Sequence, residues 1–114
     1  IMLTIYHNPR CSKSRQTLEL LKENSSKEVI IVEYLKQPLT QEKITQLLSQ
    51  LDCKPIDMMR IKEAEFKEQG LSDASDEQLI QAMVLTPKLI ERPIVSDGNQ
   101  AIIGRPPENV LTLF

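Results

Sequence analysis

The chain has 114 residues, of which 40% are hydrophobic and 26% charged, a size and composition typical of one globular domain. Its net charge of −2 excludes a general electrostatic attraction to nucleic acid or to acidic membranes. No apolar run approaches the roughly 20 residues that a membrane-spanning helix needs, and no secretory signal is visible. These totals predict a single cytoplasmic domain over residues 1–114, in which any anion site depends on a local cluster of basic groups.

The first third of the chain alternates strand and helix patterns. Met2–Tyr6 is an apolar run that leads into a turn at residues 7–9, which predicts a strand. Residues 12–22 have the apolar spacing of a helix, and Ser25-Ser26 ends that pattern. Residues 28–35 contain four consecutive β-branched residues, which predicts a buried strand. The order favours two parallel strands joined by a right-handed crossover.

The middle of the chain is predicted to be helical. Thr40 has the position of an N-cap before an apolar-faced helix. Pro55 suits a first helical turn before two methionines. Ser75 and Gln78 have the spacing of a capping box, and residues 86–87 could start one more short turn.

The end of the chain returns to strand patterns. Residues 93–96 and 101–103 are short apolar runs around a turn sequence at 97–99, which predicts a β-hairpin. The pattern of residues 108–114 predicts a closing helix with Val110, Leu111 and Phe114 turned inward. A β-α-β half followed by a β-β-α half is the order of the thioredoxin fold. We therefore expect an α/β domain with a mixed four-stranded sheet flanked by helices, and a helical insertion at about 40–90.

Two cysteines, Cys11 and Cys53, are few for a small secreted domain, which usually stabilises a weak core with several disulfides. A secreted protein with one disulfide stays open as the alternative. The favoured interpretation is a cytoplasmic protein with two free thiols, of which at least one is placed for a chemical reason. Only Lys54 is basic near Cys53, and we interpret Cys53 as a core residue.

Cys11 is the first candidate for chemistry because it lies between a predicted strand and the start of a predicted helix. Unpaired N–H groups and the helix dipole at this position favour a negative sulfur. Arg10, Lys13 and Arg15 place three cations close by in the sequence. Both effects lower a thiol pKa, and the thiolate is the nucleophilic form. A cysteine acting as a small buried hydrophobe fits poorly with these polar neighbours.

Ser14 occupies the position where a dithiol redox motif has its second cysteine. An intermediate on Cys11 must therefore be resolved by an outside thiol or by Cys53. Ser14 could donate a hydrogen bond to the thiolate or to a bound anion, or be an ordinary residue of the first helical turn.

His7 is the only histidine, and without a second histidine or a cysteine cluster a metal site is not expected. It either modulates the Cys11 site or ends the strand without a chemical role. A phosphatase loop would have an arginine where Thr17 stands, and Arg15 comes too early. The spacing thus argues against a loop of the low-molecular-weight phosphatase type.

Three arginines stand apart from the mixed surface charges: Arg60, Arg92 and Arg105. Arg92 precedes Pro93, and Arg105 precedes Pro106. A guanidinium group suits bidentate binding of an oxyanion. Taken singly, each arginine is more simply a solvated surface residue, and spacing alone does not bring the three together.

Residues 7–18 closely resemble the active-site loop of the glutaredoxin-dependent arsenate reductase family. Residues 68–71, 78–80, 90–95 and 104–106 resemble further landmarks of that family, so the resemblance covers nearly the whole chain. It implies a thioredoxin-like fold with an added helical region. It also implies that Cys11 is the nucleophile and that three arginines surround the oxyanion: Arg60, Arg92 and Arg105.

The resemblance further places His7 and Ser14 at positions that support the thiolate, and implies a cis bond before Pro93, next to the active cysteine. The implied reaction begins when the Cys11 thiolate attacks arsenate. Glutathione then attacks the adduct, arsenite leaves, and glutaredoxin removes the glutathione. The expected partners are thus arsenate or a similar oxyanion, glutathione as co-substrate and glutaredoxin, with no tightly bound cofactor and a monomeric chain.

Three residues depart from the pattern of well-known members of that family. Ser12 and Lys13 replace a Gly-Thr pair, and Arg10 replaces a small residue, which adds bulk and charge beside the thiol. Two alternatives stay open: a related thiol oxidoreductase with a different substrate, and a regulator of the same fold that binds RNA polymerase. Ser14 counts against the regulator, because such proteins often carry a Cys-x-x-Cys switch.

Overall fold

The computed structural model describes residues 2–25 and 28–114. The chain divides into two compact units, one formed by Ile1–Gln37 with Arg92–Phe114 and the other by Pro38–Glu91. That residues 1–114 act as one domain stays a prediction. In the described part of the chain, every helix is too short or too polar to cross a membrane.

The first unit contains a mixed four-stranded sheet. Its elements are strand β1 (Met2–Tyr6), helix α1 (Ser12–Asn24), strands β2 (Glu28–Val32), β3 (Ile94–Ser96) and β4 (Ala101–Ile103), and a closing 3-10 helix (Pro107–Leu113). The strand order is β2-β1-β3-β4. β1 is parallel to β2 and antiparallel to β3, which is antiparallel to β4. The predicted α/β fold with a thioredoxin-like mixed sheet is confirmed.

The core of this unit lies between the sheet, α1 and the closing helix. Leu3 and Ile5 from β1 and Val95 from β3 are fully buried against Leu21 of α1 and Val110 of the closing helix. Each such side chain contributes roughly 1.5–3 kcal/mol by leaving water. This burial fixes the register of β1 and therefore the point at which the chain leaves the sheet toward Cys11.

β2 differs from the prediction of a buried strand. It lies at the edge of the sheet, where Ile30 and Ile31 are 37% and 44% exposed. A run of β-branched residues favours a strand in either position, so composition did not separate an edge strand from a central one. The prediction of burial was wrong, whereas the parallel pairing with β1 is confirmed.

The closing helix also differs in type from the expectation. It is a 3-10 helix, and its three residues per turn place Pro107, Val110 and Leu113 on one buried face. Leu111 and Phe114, which were predicted to point inward, are 38% and 48% exposed. The expectation used the period of an α-helix. The tighter turn of the 3-10 helix brings different residues onto the buried face.

The β3–β4 hairpin is confirmed. Its turn is closed by Asp97, whose Oδ1 accepts hydrogen bonds from the backbone N–H groups of Asn99 and Gln100 at 2.9 and 2.8 Å. Gly98 has a φ of 99°, a value that side chains disfavour. These contacts within the turn therefore set the register of the β3–β4 hairpin. That register in turn fixes where the residues after β4 lie.

The second unit is helical. Its elements are α2 (Gln41–Leu51), α3 (Ala64–Glu68) and α4 (Asp76–Leu85), with 3-10 turns at Pro55–Met58, Leu71–Asp73 and Pro87–Leu89. The Oγ1 of Thr40 accepts the N–H of Lys43 at 3.1 Å, and Ser75 and Gln78 form both bonds of a capping box. Both predicted caps are confirmed. In the first unit, α1 ends at Asn24, and Ser26, predicted to help end it, lies outside the described residues.

Candidate active site

Cys11 is the N-cap residue of α1, with φ −94° and ψ 123°. Its N–H donates to the carbonyl oxygen of Asn8 at 3.0 Å, and its own carbonyl accepts from Arg15 N–H at 3.0 Å. The residue is 8% exposed. The sequence correctly predicted a cysteine at the start of the helix, and the turn after β1 holds that cysteine against the protein.

The surroundings of the sulfur favour the thiolate. Burial of the Cys11 thiol raises its pKa, but the backbone N–H of Ser14, the charge of Arg92, the backbone N–H of Lys13 and a hydrogen bond from the Arg92 side chain all lower it. The net result is a pKa below that of an ordinary thiol. Both N–H groups belong to the first turn of α1, where the backbone dipoles also favour a negative charge.

The positive charge that acts on the thiolate is the Arg92 guanidinium, and the charges of the basic side chains next to Cys11 are not among the causes that lower its pKa. Arg10, Lys13 and Arg15 are exposed, and Arg15 Nη1 donates instead to the carbonyl oxygen of Pro9 at 2.9 Å. The prediction that these three side chains lower the Cys11 pKa is therefore corrected.

The pairing of two strands brings Arg92 to this end of the sheet. Tyr6, the last residue of β1, faces Ile94, the first residue of β3. Because the strands are antiparallel, the chain just before Ile94 lies beyond the end of β1, beside the turn that leads to Cys11. Sequence spacing could not show this neighbourhood, since the contact depends on tertiary pairing.

Arg92 and Arg105 are joined through the backbone. The Arg105 Nη1 donates to the carbonyl oxygen of Arg92 at 3.1 Å, and the N–H of Gly104 donates to the carbonyl oxygen of Pro93 at 2.9 Å. The Arg92–Pro93 bond is cis, as the resemblance implied, and Arg105–Pro106 is a second cis bond that was not predicted. The structure thus brings together two of the three predicted oxyanion-binding arginines.

Gly104 is a site residue that the sequence reasoning missed. A Cβ at this position would lie 2.7 Å from Thr17 Oγ1 and 2.9 Å from Pro93 Cγ, closer than van der Waals contact allows. Thr17 is fully buried and donates to the carbonyl oxygen of Lys13 at 2.8 Å. Only glycine lets the end of β4 pack this tightly against α1, and the glycine before Arg105 was the available signal.

His7 and Ser14 form a buried pair beneath the cysteine turn. His7 Nδ1 lies 2.6 Å from Ser14 Oγ, which also accepts the N–H of Asn8 at 3.1 Å. Burial lowers the pKa of His7. The negative charge of Glu33 raises it, and the positive charges of Arg15 and Lys22 lower it further. A neutral imidazole follows. The Ser14 hydroxyl is thus bonded to His7 and Asn8, while its backbone N–H acts on Cys11.

Arg60 and Cys53 belong to the second unit. Arg60 Nη1 pairs with Glu63 Oε1 at 2.5 Å, and its place in an oxyanion site stays a prediction. Cys53 is half-buried, so its interpretation as a core residue was wrong. Burial raises the pKa of the Cys53 thiol, and the charges of Asp57 and Asp52 raise it further. The two thiols therefore have opposite tendencies to ionise.

Over the described residues 2–25 and 28–114, no group of three or more His, Cys, Asp or Glu side chains has the arrangement of a metal site.

The sequence profile of the ArsC family matches residues 6–113. The chain is 51% identical over 112 residues to the uncharacterized protein YfgD of Escherichia coli K12, covering 96% of this chain and 93% of the relative. It is 43% identical over 113 residues to a protein of Haemophilus influenzae named arsenate reductase, covering 96% of this chain and 97% of that protein.

Solved structures agree with these sequence matches. A structure described as arsenate reductase from Vibrio cholerae superimposes with a TM-score of 0.93 at 46% identity, covering 100% of this chain and 98% of that one. A structure described as a putative arsenate reductase from Yersinia pestis gives a TM-score of 0.87 at 47% identity, covering 96% of this chain and 98% of that one.

Proposed function

This chain is a member of the ArsC family, and on that premise we propose that it is an oxidoreductase that reduces arsenate or a similar oxyanion. The nucleophile is the Cys11 thiolate. One observation carries the proposal: two backbone N–H groups and the Arg92 guanidinium act on a single sulfur and lower its pKa. A thiolate is the form that attacks arsenic.

In the first step, the Cys11 sulfur forms a bond to arsenic and one As–O bond breaks. The departing oxygen takes up two protons and leaves as water. The positive charges of Arg92 and Arg105 balance the negative oxyanion during this exchange. Arg60 is proposed to act in the same way, on the strength of the family pattern.

The next steps use thiols from outside the chain. The sulfur of glutathione bonds to the Cys11 sulfur, and the electron pair of the S–As bond reduces arsenic(V) to arsenic(III), which leaves as arsenite. A glutaredoxin thiolate then attacks the glutathione sulfur of this mixed disulfide, so that a new S–S bond forms, the Cys11 thiolate is released and the glutathione is carried away on glutaredoxin. Ser14 supports this external cycle because it replaces the cysteine that would close a local disulfide, and the raised pKa of Cys53 makes that thiol a poor resolving group.

The two free thiols suit a reducing compartment, so we place the protein in the cytoplasm and expect it to act as a monomer. Glutathione is a co-substrate in this scheme, and no tightly bound cofactor is needed. His7 and Ser14 are proposed to support the thiolate through the turn that presents Cys11.

The test is arsenate reduction by the purified chain with glutathione and glutaredoxin. Cys11→Ser should abolish turnover, and Arg92→Ala should lower it strongly, whereas Cys53→Ser, the matched cysteine control, should retain it. Thioredoxin in place of glutaredoxin tests the reductant. Wild-type protein that leaves arsenate unreduced would reject arsenate as substrate and favour a related thiol oxidoreductase. A regulator that binds RNA polymerase would instead keep its function in Cys11→Ser.

A further inference from the structure

Three basic side chains flank Cys11 along the chain. Arg10 directly precedes it, and Lys13 and Arg15 follow it at the start of α1. All three residues are exposed. Because consecutive Cα atoms are about 3.8 Å apart and a helix rises about 1.5 Å per residue, their Cα atoms lie within about 8 Å of the Cys11 Cα. We call these three residues the basic rim.

The basic rim has no acidic counterpart nearby in the chain. Glu19 is the first acidic residue of the sequence, and the first turn of α1 contains none. Within residues 2–25 and 28–114, the ion pairs all join other side chains. Although the net charge of the chain is −2, the rim therefore presents uncompensated positive charge to the solvent.

Neither the stability of α1 nor the acidity of Cys11 explains the charges of the basic rim. The N-terminus of a helix carries a partial positive charge, so cations in the first turn oppose the helix dipole. The rim charges are also absent from the causes that lower the Cys11 pKa. The rim is thus a charged feature beside the nucleophile that neither folding nor thiolate formation uses.

We propose that the basic rim binds the carboxylates of glutathione and so brings its sulfur to Cys11. This inference rests on the proposed function, in which glutathione is the attacking thiol. Glutathione has its thiol in the middle of the molecule and a carboxylate at each end. Arg10 precedes Cys11 and Lys13 follows it, so a cation is present on each side of the nucleophile in the chain. Guanidinium and ammonium groups both form charge-assisted hydrogen bonds to carboxylates.

The basic rim suits glutathione better than it suits arsenate. Arg92 acts on the Cys11 sulfur by its charge and by a hydrogen bond, so it is the cation nearest to an oxyanion bonded to that sulfur. A ligand that contacts Arg10 and Lys13 while it reacts at the sulfur must carry anionic groups away from its reacting atom. Glutathione has such groups, whereas every oxygen of arsenate is bonded to arsenic.

The test uses the Cys53→Ser protein, in which Cys11 is the single thiol. Cys11 is first converted to its mixed disulfide with pyridine-2-thiol, a group without a carboxylate. The glutathione thiolate attacks the Cys11 sulfur, the glutathione–Cys11 disulfide forms, and the departing sulfur takes up a proton as pyridine-2-thione, whose absorbance gives the rate. Glutathione is compared with its diethyl ester, which has no free carboxylate, at equal thiolate concentration.

The ratio of the glutathione rate constant to the ester rate constant measures recognition of the carboxylates. Arg10→Gln and Lys13→Gln should each lower this ratio about twofold to fivefold, the range for exposed ion pairs. Added salt should lower it in the parent protein. Lys22→Gln is the matched control, because it removes the same charge from the last turn of α1, about 14 Å along the helix from Lys13, and should keep the ratio.

Three results would overturn the proposal: an unchanged ratio in both rim variants, an equal fall in Lys22→Gln, or equal slowing of both thiols, which would place the effect on the sulfur. A rim that binds an acidic surface of glutaredoxin would instead keep the ratio and slow only the reduction of the glutathione–Cys11 disulfide by glutaredoxin, which also overturns it. The assay contains no arsenate. A ratio that falls as predicted in a protein that leaves arsenate unreduced would therefore reject arsenate as substrate and retain this inference.

Discussion

Replacing Ser14 by alanine probes the buried support of the cysteine turn. The Ser14 side chain is fully buried, and its hydroxyl bonds His7 Nδ1 at 2.6 Å and the N–H of Asn8 at 3.1 Å. Alanine removes one oxygen and leaves both partners in place. The backbone N–H of residue 14, which acts on Cys11, is unchanged by the substitution.

The expected loss of folding stability in Ser14→Ala comes from the two polar groups that lose their hydrogen-bond partner. A buried polar group without a hydrogen bond costs about 1–3 kcal/mol. His7 is buried and bears the full cost, whereas the N–H of Asn8 is only partly buried and can recover part of its bonding from water. The sum is about 2–3 kcal/mol. For a chain of this size that corresponds to a fall in Tm of roughly 10 °C.

Urea denaturation followed by circular dichroism measures this loss. With m of about 1–3 kcal/mol/M, the midpoint should fall by about 1 M or more while m stays the same. Ser12→Ala, at an exposed position of the same helical turn, is the matched control and should change stability by less than about 0.5 kcal/mol. A Ser14→Ala protein as stable as the Ser12→Ala protein would refute the account of this buried pair.

Two further predictions concern stability. Because burial lowers the pKa of His7 below 6.5, the unfolded chain binds more protons than the folded one, and stability is lost as pH falls below about 6.5 toward the folded-state pKa. His7→Gln should therefore reduce the difference in urea midpoint between about pH 5.5 and about pH 7.5, and an unaltered difference would count against a neutral buried imidazole. Ser75→Ala should cost about 1 kcal/mol in the same assay, because it removes the side-chain cap on the N–H of Gln78; no measurable loss would show that this cap does not stabilise α4.

Local signals in the sequence were sufficient for most of the fold. The caps at Thr40 and Ser75 and the turn at Asp97 depend on residues a few positions apart, so the printed sequence contains both partners of each interaction. The parallel β1–β2 pair followed in the same way from the length of the connecting helix. The exposure of Ile30 and Ile31 depended on which strands lie at the sheet edge, and that order is set by long-range pairing.

The same distinction applies to the site. The position of Cys11 at the start of a helix and the proximity of Ser14 to Cys11 depend on residues close together in the sequence, and both were predicted. The effect of Arg92 on the thiol arises because β3 pairs with β1, and adjacent cations were wrongly given this role. The close approach of Gly104 to Thr17 was missed because it joins two distant parts of the chain.

The most direct test of the account is the pH dependence of alkylation of Cys11, measured by peptide mass spectrometry with Cys53 as the internal reference. Each rate is normalised to its plateau at high pH, so that burial of either thiol does not bias the comparison. The midpoint for Cys11 should lie well below that for Cys53, and Arg92→Gln should move it upward. Two results would contradict an ionised nucleophile at this position. One is the same midpoint for Cys11 and Cys53, and the other is a Cys11 midpoint that does not change in Arg92→Gln.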